Sequence, residues 1–371
     1  MLEWKLIRLG DICLTNKSSY SSKDNWKFVN YLDTGSLTEN KITELQYINI
    51  EMDKMPSRAR RKVIKNSILY STVRPNQLHY GIIKEPVDNL LVSTGFTVID
   101  VDTNKAIPEF IYYLLTQNNT TEQLQAIAEQ SVSTYPSIKP SDIENLEFKL
   151  PNLIIQSKIV SILDTIDSKI RQNEKINNNL EQQTQAIYSR MFIEHRQESW
   201  STGQLSDLIS VKYGKDHKKL ADGNYPVYGS GGIIRYVEKP LHTGESVLIP
   251  RKGTLNNVIY VNEAFWSVDT MFYTEMLHPN IAKFVYHFVK SKDLASLNAG
   301  SAVPSMTTNI LNAMQLYIPD EKTLEKFENI VSPMYSAMQE NTKESKILAN
   351  TRDTLLPKLM SGELDVSDID L

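Results

Sequence analysis

The sequence predicts an α+β protein built by duplication. It has two tandem, pseudo-symmetric globular domains, each followed by a long helix, with the two helices packing as an antiparallel coiled coil. Three observations carry this. One stretch of sequence recurs at a constant offset, each copy ends in a heptad seam of constant spacing, and short β-branched or aromatic runs bounded by turn residues precede each seam.

The repeat is read directly. Tyr135-Pro136-Ser137-Ile138 matches Val303-Pro304-Ser305-Met306 at an offset of 168. At that offset Ile143 falls on Leu311, Leu146 on Met314, Phe148 on Leu316, Leu150 on Ile318 and Pro151 on Pro319, and the register runs without a gap to Phe192 on Met360. The domain starts match at a different offset: Trp4, Leu9, Asp11 and Ile12 fall on Trp200, Leu205, Asp207 and Leu208, 196 residues on. The second copy is therefore 28 residues shorter inside its globular part, 168 against 196. A constant frame around a variable middle suits a shared scaffold whose loops differ in task. The organisation that follows is a first globular domain over 1–150, a helix over 151–193, a second domain over 194–318 whose residues 194–200 are a polar linker, a second helix over 319–362 and an acidic tail over 363–371. The tail acids (Glu363, Asp365, Asp368, Asp370) are expected to be solvated.

Each helix is defined by its seam. Ile159, Leu163, Ile166, Ile170, Asn173, Asn177, Leu180, Thr184, Ile187 and Met191 are spaced alternately four and three apart, a heptad pattern that spans roughly 50 Å at about 1.5 Å per residue. Shifted by 168, the seam becomes Phe327, Val331, Met334, Met338, Asn341, Ser345, Leu348, Arg352, Leu355 and Leu359, broken by polar residues at the same three places. Polar residues in a seam specify register and partner. An antiparallel pair centred near Lys175 and Lys343 sets Asn173 opposite Ser345 and Asn177 opposite Asn341, whereas a parallel pair sets Asn173 beside Asn341. Pro357 inside the second pattern predicts a kink or break.

Composition bounds the function. The chain has 371 residues, 41% hydrophobic and 23% charged, which suits two soluble domains. No run approaches the roughly 18–20 apolar residues of a membrane span. The start, Met1-Leu2-Glu3-Trp4-Lys5-Leu6, lacks a signal layout, so a cytoplasmic location is expected. The single cysteine, Cys13, excludes an intramolecular disulfide and a thiolate metal cluster. The six histidines show no metal-ligand spacing. No catalytic constellation, cofactor glycine motif or ATP-binding loop is present, so neither a catalytic residue nor a bound cofactor is expected.

Within the domains, strand-like runs lie at Ser67-Ile68-Leu69-Tyr70, Phe96-Thr97-Val98-Ile99, Ser246-Val247-Leu248-Ile249 and Val258-Ile259-Tyr260-Val261, and one helix is predicted in each copy, at 109–115 and 281–290. Basic and amide side chains gather in comparable places. The first domain offers Arg58, Arg60, Arg61 and Lys62, then the loop with Arg74, Asn76 and Gln77, and later Tyr135 and Lys139. The second offers Lys215, His217, Lys218 and Lys219, the glycine-rich Tyr228 and Ser230, and the loop Arg251, Lys252, Asn256 and Asn257. These side-chain types read base edges in the major groove and neutralise phosphates. One such cluster is an ordinary solvated face. Two in equivalent halves of a chain of net charge −4 point to a shared nucleic-acid surface.

The chain resembles the specificity subunits of Type I restriction-modification enzymes over essentially its whole length. The resemblance lies in Leu150-Pro151-Asn152-Leu153-Ile154-Ile155-Gln156-Ser157-Lys158-Ile159 with its continuation to Phe192, in Leu355-Leu356-Pro357-Lys358-Leu359-Met360-Ser361-Gly362-Glu363-Leu364, and in Gly223-Asn224-Tyr225-Pro226-Val227-Tyr228-Gly229-Ser230-Gly231-Gly232 with Ile249-Pro250-Arg251-Lys252-Gly253. It implies that the globular parts are target recognition domains, each reading one half of a split, asymmetric site on double-stranded DNA. It also implies that the helices set the half-site spacing and dock two modification subunits. Those partners would carry S-adenosylmethionine and methylate adenine at N6, and restriction subunits would add ATP-dependent translocation and cleavage. Two other readings stand beside it: the specificity subunit of a related bipartite-site methyltransferase or nuclease, and a duplicated coiled-coil scaffold without a DNA role.

Overall fold

The computed structural model describes residues 4–131, 135–297 and 305–369. Met1, Leu2, Glu3, Val303, Pro304 and Asp370 lie outside the described residues. The chain divides into two compact units, residues 1–171 with 344–371 and residues 172–343.

In the first unit β1 (Lys5–Arg8) pairs antiparallel with β12 (Glu147–Leu150), closing the domain's start on its end. The central sheet has the order β2 (Cys13–Thr15), β11 (Phe96–Val101), β8 (Ser67–Ser71), β9 (Tyr80–Ile83), all antiparallel. A second sheet runs β6 (Gln46–Asn49), β3 (Phe28–Leu32), β10 (Leu90–Ser93), β7 (Ala59–Lys62), with β3 and β10 parallel. β4 (Leu37–Thr38) and β5 (Lys41–Ile42) form a small hairpin. All five residues of β8 are buried, and strand alternation divides them between two cores. Ile68 and Tyr70 join Phe110 of α1 (Pro108–Leu115), Leu124 of α2 (Asn118–Glu129) and Ile143 of α3 (Pro140–Glu144), together with Ile159 of the long helix α4 (Leu153–Tyr188). Leu69 packs the other way, with Leu32, Val92 and Phe96.

The second unit repeats this plan. β13 (Ser201–Gln204) pairs with β20 (Gln315–Ile318). One six-stranded sheet runs β14 (Ile209–Tyr213), β19 (Met271–Met276), β17 (His242–Pro250), β18 (Ile259–Ser267), β15 (Asp222–Gly229), β16 (Gly232–Val237), with only β15 and β18 parallel. In β17, Val247 and Ile249 face α5 (Ala282–Lys290) with Phe284 and Val285, while Leu248 joins Val227 and Phe265. Each unit contains one mixed sheet, with β3 and β10 parallel in the first and β15 and β18 parallel in the second. The four strand-like runs and the two domain helices lie where the sequence places them; α2, α3 and α6 (Thr308–Asn312) are additional.

Hydrogen bonding carries the duplication into the region where the sequence register slips. Ile138 donates to the carbonyl of Thr72, and Met306, 168 residues on, donates to that of Arg251. Thr72 therefore corresponds to Arg251, and β8 to β17, at an offset of 179. Thr72 and Arg251 in turn donate to the carbonyls of Gly95 and Thr270, which relates β11 to β19 at 175. The first turns of α1 and α5 start from the carbonyls of Ile107 and Ile281, an offset of 174.

α4 continues as a π-helical turn over Ser189–Glu194, and α7 spans Glu321–Ser361. Every residue of both predicted seams is buried or half-buried. The helices pair antiparallel within each unit. In the first, Lys158 reaches the carbonyl of Ser367 and Asp167 pairs with Arg352; in the second, the partner of Asn173 is Asn341 and that of Asn177 extends to Met338. The expected break at Pro357 is absent, because α7 runs through it. Pro357 lies on the exposed face one turn from the helix end, where a single missing backbone hydrogen bond is tolerated. The tail is also less solvated than expected. Its acids Glu363, Asp365 and Asp368 are exposed, but Val366 between them is buried in the core of the first unit.

Cys13 is buried in that core, and desolvation, with the charges of Asp100 and Asp102 behind it, pushes its thiol up to about 12. A thiol-specific disulfide reagent at pH 8 should therefore label none of the folded protein and one thiol per chain after denaturation; rapid labelling of the native protein would contradict this packing.

Candidate nucleic-acid interface

Each unit presents a loop directly after a strand whose last five residues are all buried. In the first, Thr72 ties the loop to the β10–β11 connection, its N–H and hydroxyl both donating to the carbonyl of Gly95 at 2.8 and 2.9 Å. Val73 bridges Ser137, and Arg74 donates to the carbonyl of Pro136 at 2.9 Å. Arg74 has φ +49°, a conformation uncommon for a residue with a β-carbon, and the chain then makes a short turn over Pro75–Gln77. The N–H of Asn76 is held by Gln125 of α2 at 3.2 Å. The backbone is thus anchored on three sides, while the side chains of Asn76 and Gln77 point outward, exposed and without a hydrogen bond among the described residues.

Arg74 lies over an aromatic ring, its guanidinium carbon 5.0 Å from the ring centre of Tyr135, itself 57% exposed. Cation–π stacking holds the planar group, and its N–H edges stay available for a bidentate acceptor such as guanine. Arg58 joins this surface through its backbone, since Thr94 donates to its carbonyl at 2.9 Å, one residue before Gly95. Arg58, Arg60 and Lys139 are exposed. Arg61, on the opposite side of β7 from Arg60, is half-buried, and its Nε has no partner among the described residues. Lys62 is engaged within the fold, paired with Asp24 and 5.2 Å over Trp26.

The second unit builds the same element from different residues. Arg251 and Lys252 both donate to the carbonyl of Thr270, at 2.8 and 3.2 Å, and Lys252 bridges Ser305. By the 179 offset Arg74 corresponds to Gly253, which has φ +85°, so the left-handed turn is shared. Arg251 stands 5.2 Å over Tyr213, which is 52% exposed. Each loop therefore displays an arginine on an exposed tyrosine, although neither arginine corresponds to the other in the frame. Next to Tyr213, Gly214 lets the chain run against the carbonyl of Val268, where an added Cβ would stand 2.0 Å away. This close approach positions Lys215, Lys218 and Lys219, all exposed; Lys215 is held by the carbonyl of Ser267 and Lys218 by the Asp216 carboxylate. His217 is half-buried and its Nδ1 finds no partner among the described residues.

Three further predicted groups are engaged within the fold. Tyr228 is buried and its hydroxyl donates to Glu263 at 2.5 Å. Asn257 donates to the carbonyl of Ser230 at 2.6 Å, linking the Arg251 loop to the glycine-rich turn. Asn256 bonds Asp293 and accepts from the N–H of Ala295. The amide bonds of Asn256 and Asn257 hold the loop to its neighbours. Ser230, half-buried, lies close to Gly253. Tyr213 was missed by sequence reasoning; its signal was an aromatic strand end immediately before the lysine cluster. In the seam, Asn341 donates to the side-chain oxygen of Asn177 at 2.9 Å and Asn173 is buried. Ser345 is half-buried on α7 in the other unit. Among the described residues no cluster of metal-ligating side chains occurs, and no helix is long and apolar enough to cross a membrane.

The model of the family described as Type I restriction modification DNA specificity domain matches residues 1–182 and again 197–348. The HindI Type I restriction enzyme specificity subunit of Haemophilus influenzae is 23% identical, over 98% of this chain and 100% of its own. The MjaIX Type I restriction enzyme specificity subunit of Methanocaldococcus jannaschii is 20% identical, over 98% of this chain and 94% of its own. A crystal structure of a Type I restriction-modification S subunit from M. genitalium shares the fold, with a TM-score of 0.61 and 19% identity over 97% of this chain and 96% of that one.

The tight approach at Gly214 can be tested by itself. Gly214→Ala should destabilise the protein by about 1–3 kcal/mol, because the clashing atoms are backbone. Gly231→Ala, where an added Cβ meets nothing within 4 Å, should stay within about 0.5 kcal/mol of the parent. Denaturant unfolding of the two variants compares them directly.

Proposed function

The chain belongs to the Type I restriction modification DNA specificity domain family, and on that footing we propose that it reads DNA sequence for a Type I restriction-modification enzyme, one recognition domain to each half of a bipartite, asymmetric target. The observation that carries this reading is the pair of loops after β8 and β17. They occupy the same place in the duplicated frame, stand on backbone hydrogen-bonded to its neighbours, and display arginine over exposed tyrosine with further cations around it. Arginine there can take the O6 and N7 of guanine, while Asn76 and Gln77 can take adenine. The exposed lysines and Arg58 suit phosphates, which orient a protein on the duplex without reading it. Because the two loops differ at corresponding positions, the half-sites should differ in sequence.

The chain's own role is recognition. Methyl transfer from S-adenosylmethionine, and translocation and cleavage driven by ATP, belong to partner subunits in this reading. Two modification subunits would dock on the outward faces of α4 and α7, which are rich in Gln, Asn, Lys and Glu. The net charge of −4 fits a subunit whose affinity for DNA arises largely in the assembled complex.

Together with its modification subunit, the protein should protect one bipartite sequence in a library of duplexes; equally tight binding of scrambled duplex at physiological salt would overturn the proposal. Arg74→Ala and Arg251→Ala should each lower specific binding by about 1–3 kcal/mol and leave non-specific binding nearly unchanged. An unaltered specificity ratio would reassign them to phosphate contacts. The helices should also act as a ruler. One heptad added to each at Lys175 and Lys343 keeps the seam and lengthens it by about 10 Å. The preferred gap between half-sites should then grow by about three base pairs, at about 3.4 Å each, as read by methylation mapping.

A further inference from the structure

The domain helices meet the long helices through polar groups as well as apolar ones. α5 follows α1 at 174 and the long helices follow each other at 168, so Tyr113 corresponds to His287, Asp167 to Tyr335, and Arg352 and Asp353 to Thr184 and Gln185. These corresponding positions make the polar seats of both domains.

In the first unit the hydroxyl of Tyr113 donates to Oδ2 of Asp167 at 2.7 Å, and Oδ1 of the same carboxylate accepts from Nη1 of Arg352 at 2.9 Å. One half-buried carboxylate thus joins α1 to both long helices, and Asp353 accepts from Nη2 and Nε of Arg352 at 2.8 and 2.9 Å. In the second unit His287 is fully buried. Its Nδ1 lies 2.8 Å from Oε1 of Gln185 on α4, and its Nε2 3.0 Å from the hydroxyl of Tyr335 on α7. A neutral ring protonated on Nδ1 satisfies both contacts, donating to the amide oxygen and accepting from the phenol. Burial keeps the ring neutral, lowering its pKa to about 4. Four residues before it, the buried Lys283 spans Glu245 of β17 and Glu328 of α7, at 2.7 and 2.6 Å.

The energetics of such groups favour orientation over stability. A buried ion pair or polar network recovers little more than its desolvation penalty, yet only one geometry satisfies it. Apolar packing such as that of the core holding Phe110 and Ile159 would tolerate sliding; a carboxylate shared between a phenol and a guanidinium would not. The chemistry also differs at corresponding positions. α5 seated in the first unit would bring His287 against Asp167 and Arg352, and Lys283 against Val160 where it now meets Glu328.

We propose that Tyr113–Asp167–Arg352 and His287–Tyr335–Gln185 are positioning residues for sequence reading, each locking the orientation of its own recognition domain on the helices, and each keyed to that position. The proposal rests on the chain being a DNA specificity subunit. It concerns residues that touch no DNA and act through the placement of those that do.

The test uses the complex with the modification subunit and a duplex library in which both half-sites are held and the gap between them varied. Tyr113→Phe removes one hydroxyl and Asp167→Asn one charge. Both should keep the wild-type circular dichroism spectrum and co-purify normally, yet lose at least tenfold in discrimination between the preferred gap and gaps one base pair longer or shorter. The bases preferred within the half-sites should not change. Rebuilding the second unit's set in the first (Tyr113→His, Asp167→Tyr, Arg352→Thr and Asp353→Gln together) should restore discrimination that the single changes lose. Wild-type gap discrimination in folded Tyr113→Phe and Asp167→Asn, or a four-residue exchange that restores none, would overturn the proposal. A wild-type complex with no preference for any bipartite site would instead overturn the reading beneath it.

Discussion

Among the polar interruptions of the seam, one hydrogen bond fixes the register on which the helical frame depends: Asn341 to Asn177, at 2.9 Å. Around it lie residues such as Leu180, Met334 and Met338, which could interdigitate in several registers with similar energy. The asparagines cannot. The Nδ2 of Asn177 reaches the carbonyl of Met338 at 3.1 Å and its Oδ1 receives Asn341. A slip of one heptad would face Asn177 with Met334 and leave half-buried amide groups without partners, a loss of about 1–3 kcal/mol for each. Nearby, Asn173 donates to the carbonyl of Asn341 at 3.4 Å. The polar interruptions lower the gain from apolar burial and, in return, single out one antiparallel arrangement.

From that register the seats of the domains follow. Asp167 and Arg352 can share a carboxylate, and Gln185 and Tyr335 can flank one imidazole, only where α4 and α7 run past each other in this phase. The domain helices α1 and α5 are then held from two sides. The sheets behind them carry the loops through strands buried on both faces, β8 and β17, whose alternating side chains lock into two cores each. Anchoring is continuous from the seam to the arginines. Arg74 sits three residues beyond the last strand residue of β8, and Arg251 one beyond that of β17.

The parts that were legible in the sequence are those governed by period. Heptads gave both long helices and the polar positions in their seam, and β-branched runs marked the strands at the heart of each sheet. Pro357 misled because the steric rule is local, whereas its tolerance depends on lying on an exposed face near a helix end. The site was legible in composition but not in roles. Tyr228 and Tyr213 are both tyrosines on strands beside glycine; only tertiary contacts decide that the first is buried against Glu263 and the second lies open beneath Arg251. Asn257 and Gln77 are likewise both loop amides, and the one is consumed by a backbone carbonyl while the other is not. Burial and side-chain-to-backbone bonding are set by residues distant in sequence, which no local pattern carries.

The slipping offset shows where the two copies diverged. It falls from 196 at the paired strands β2 and β14 to 179 at β8 and β17, then to 175 at β11 and β19, and reaches 168 by Ser137 and Ser305. Most of the difference, 17 residues, is taken up before β8, where the first domain adds the β4–β5 hairpin and the separate strands β6 and β7. Four residues are taken up between β8 and β11, within and after the loop of Arg74, and seven between β11 and Ser137. At each step the hydrogen bonds that hold the loop to its neighbours are kept at corresponding backbone atoms, Thr72 with Arg251 and Val73 with Lys252. Backbone bonds make no demand on side-chain identity, so the residues there were free to change without loosening the loop. An arginine projects from one copy where the other has threonine, and a glycine in one where the other has arginine, on the same fixed chain path.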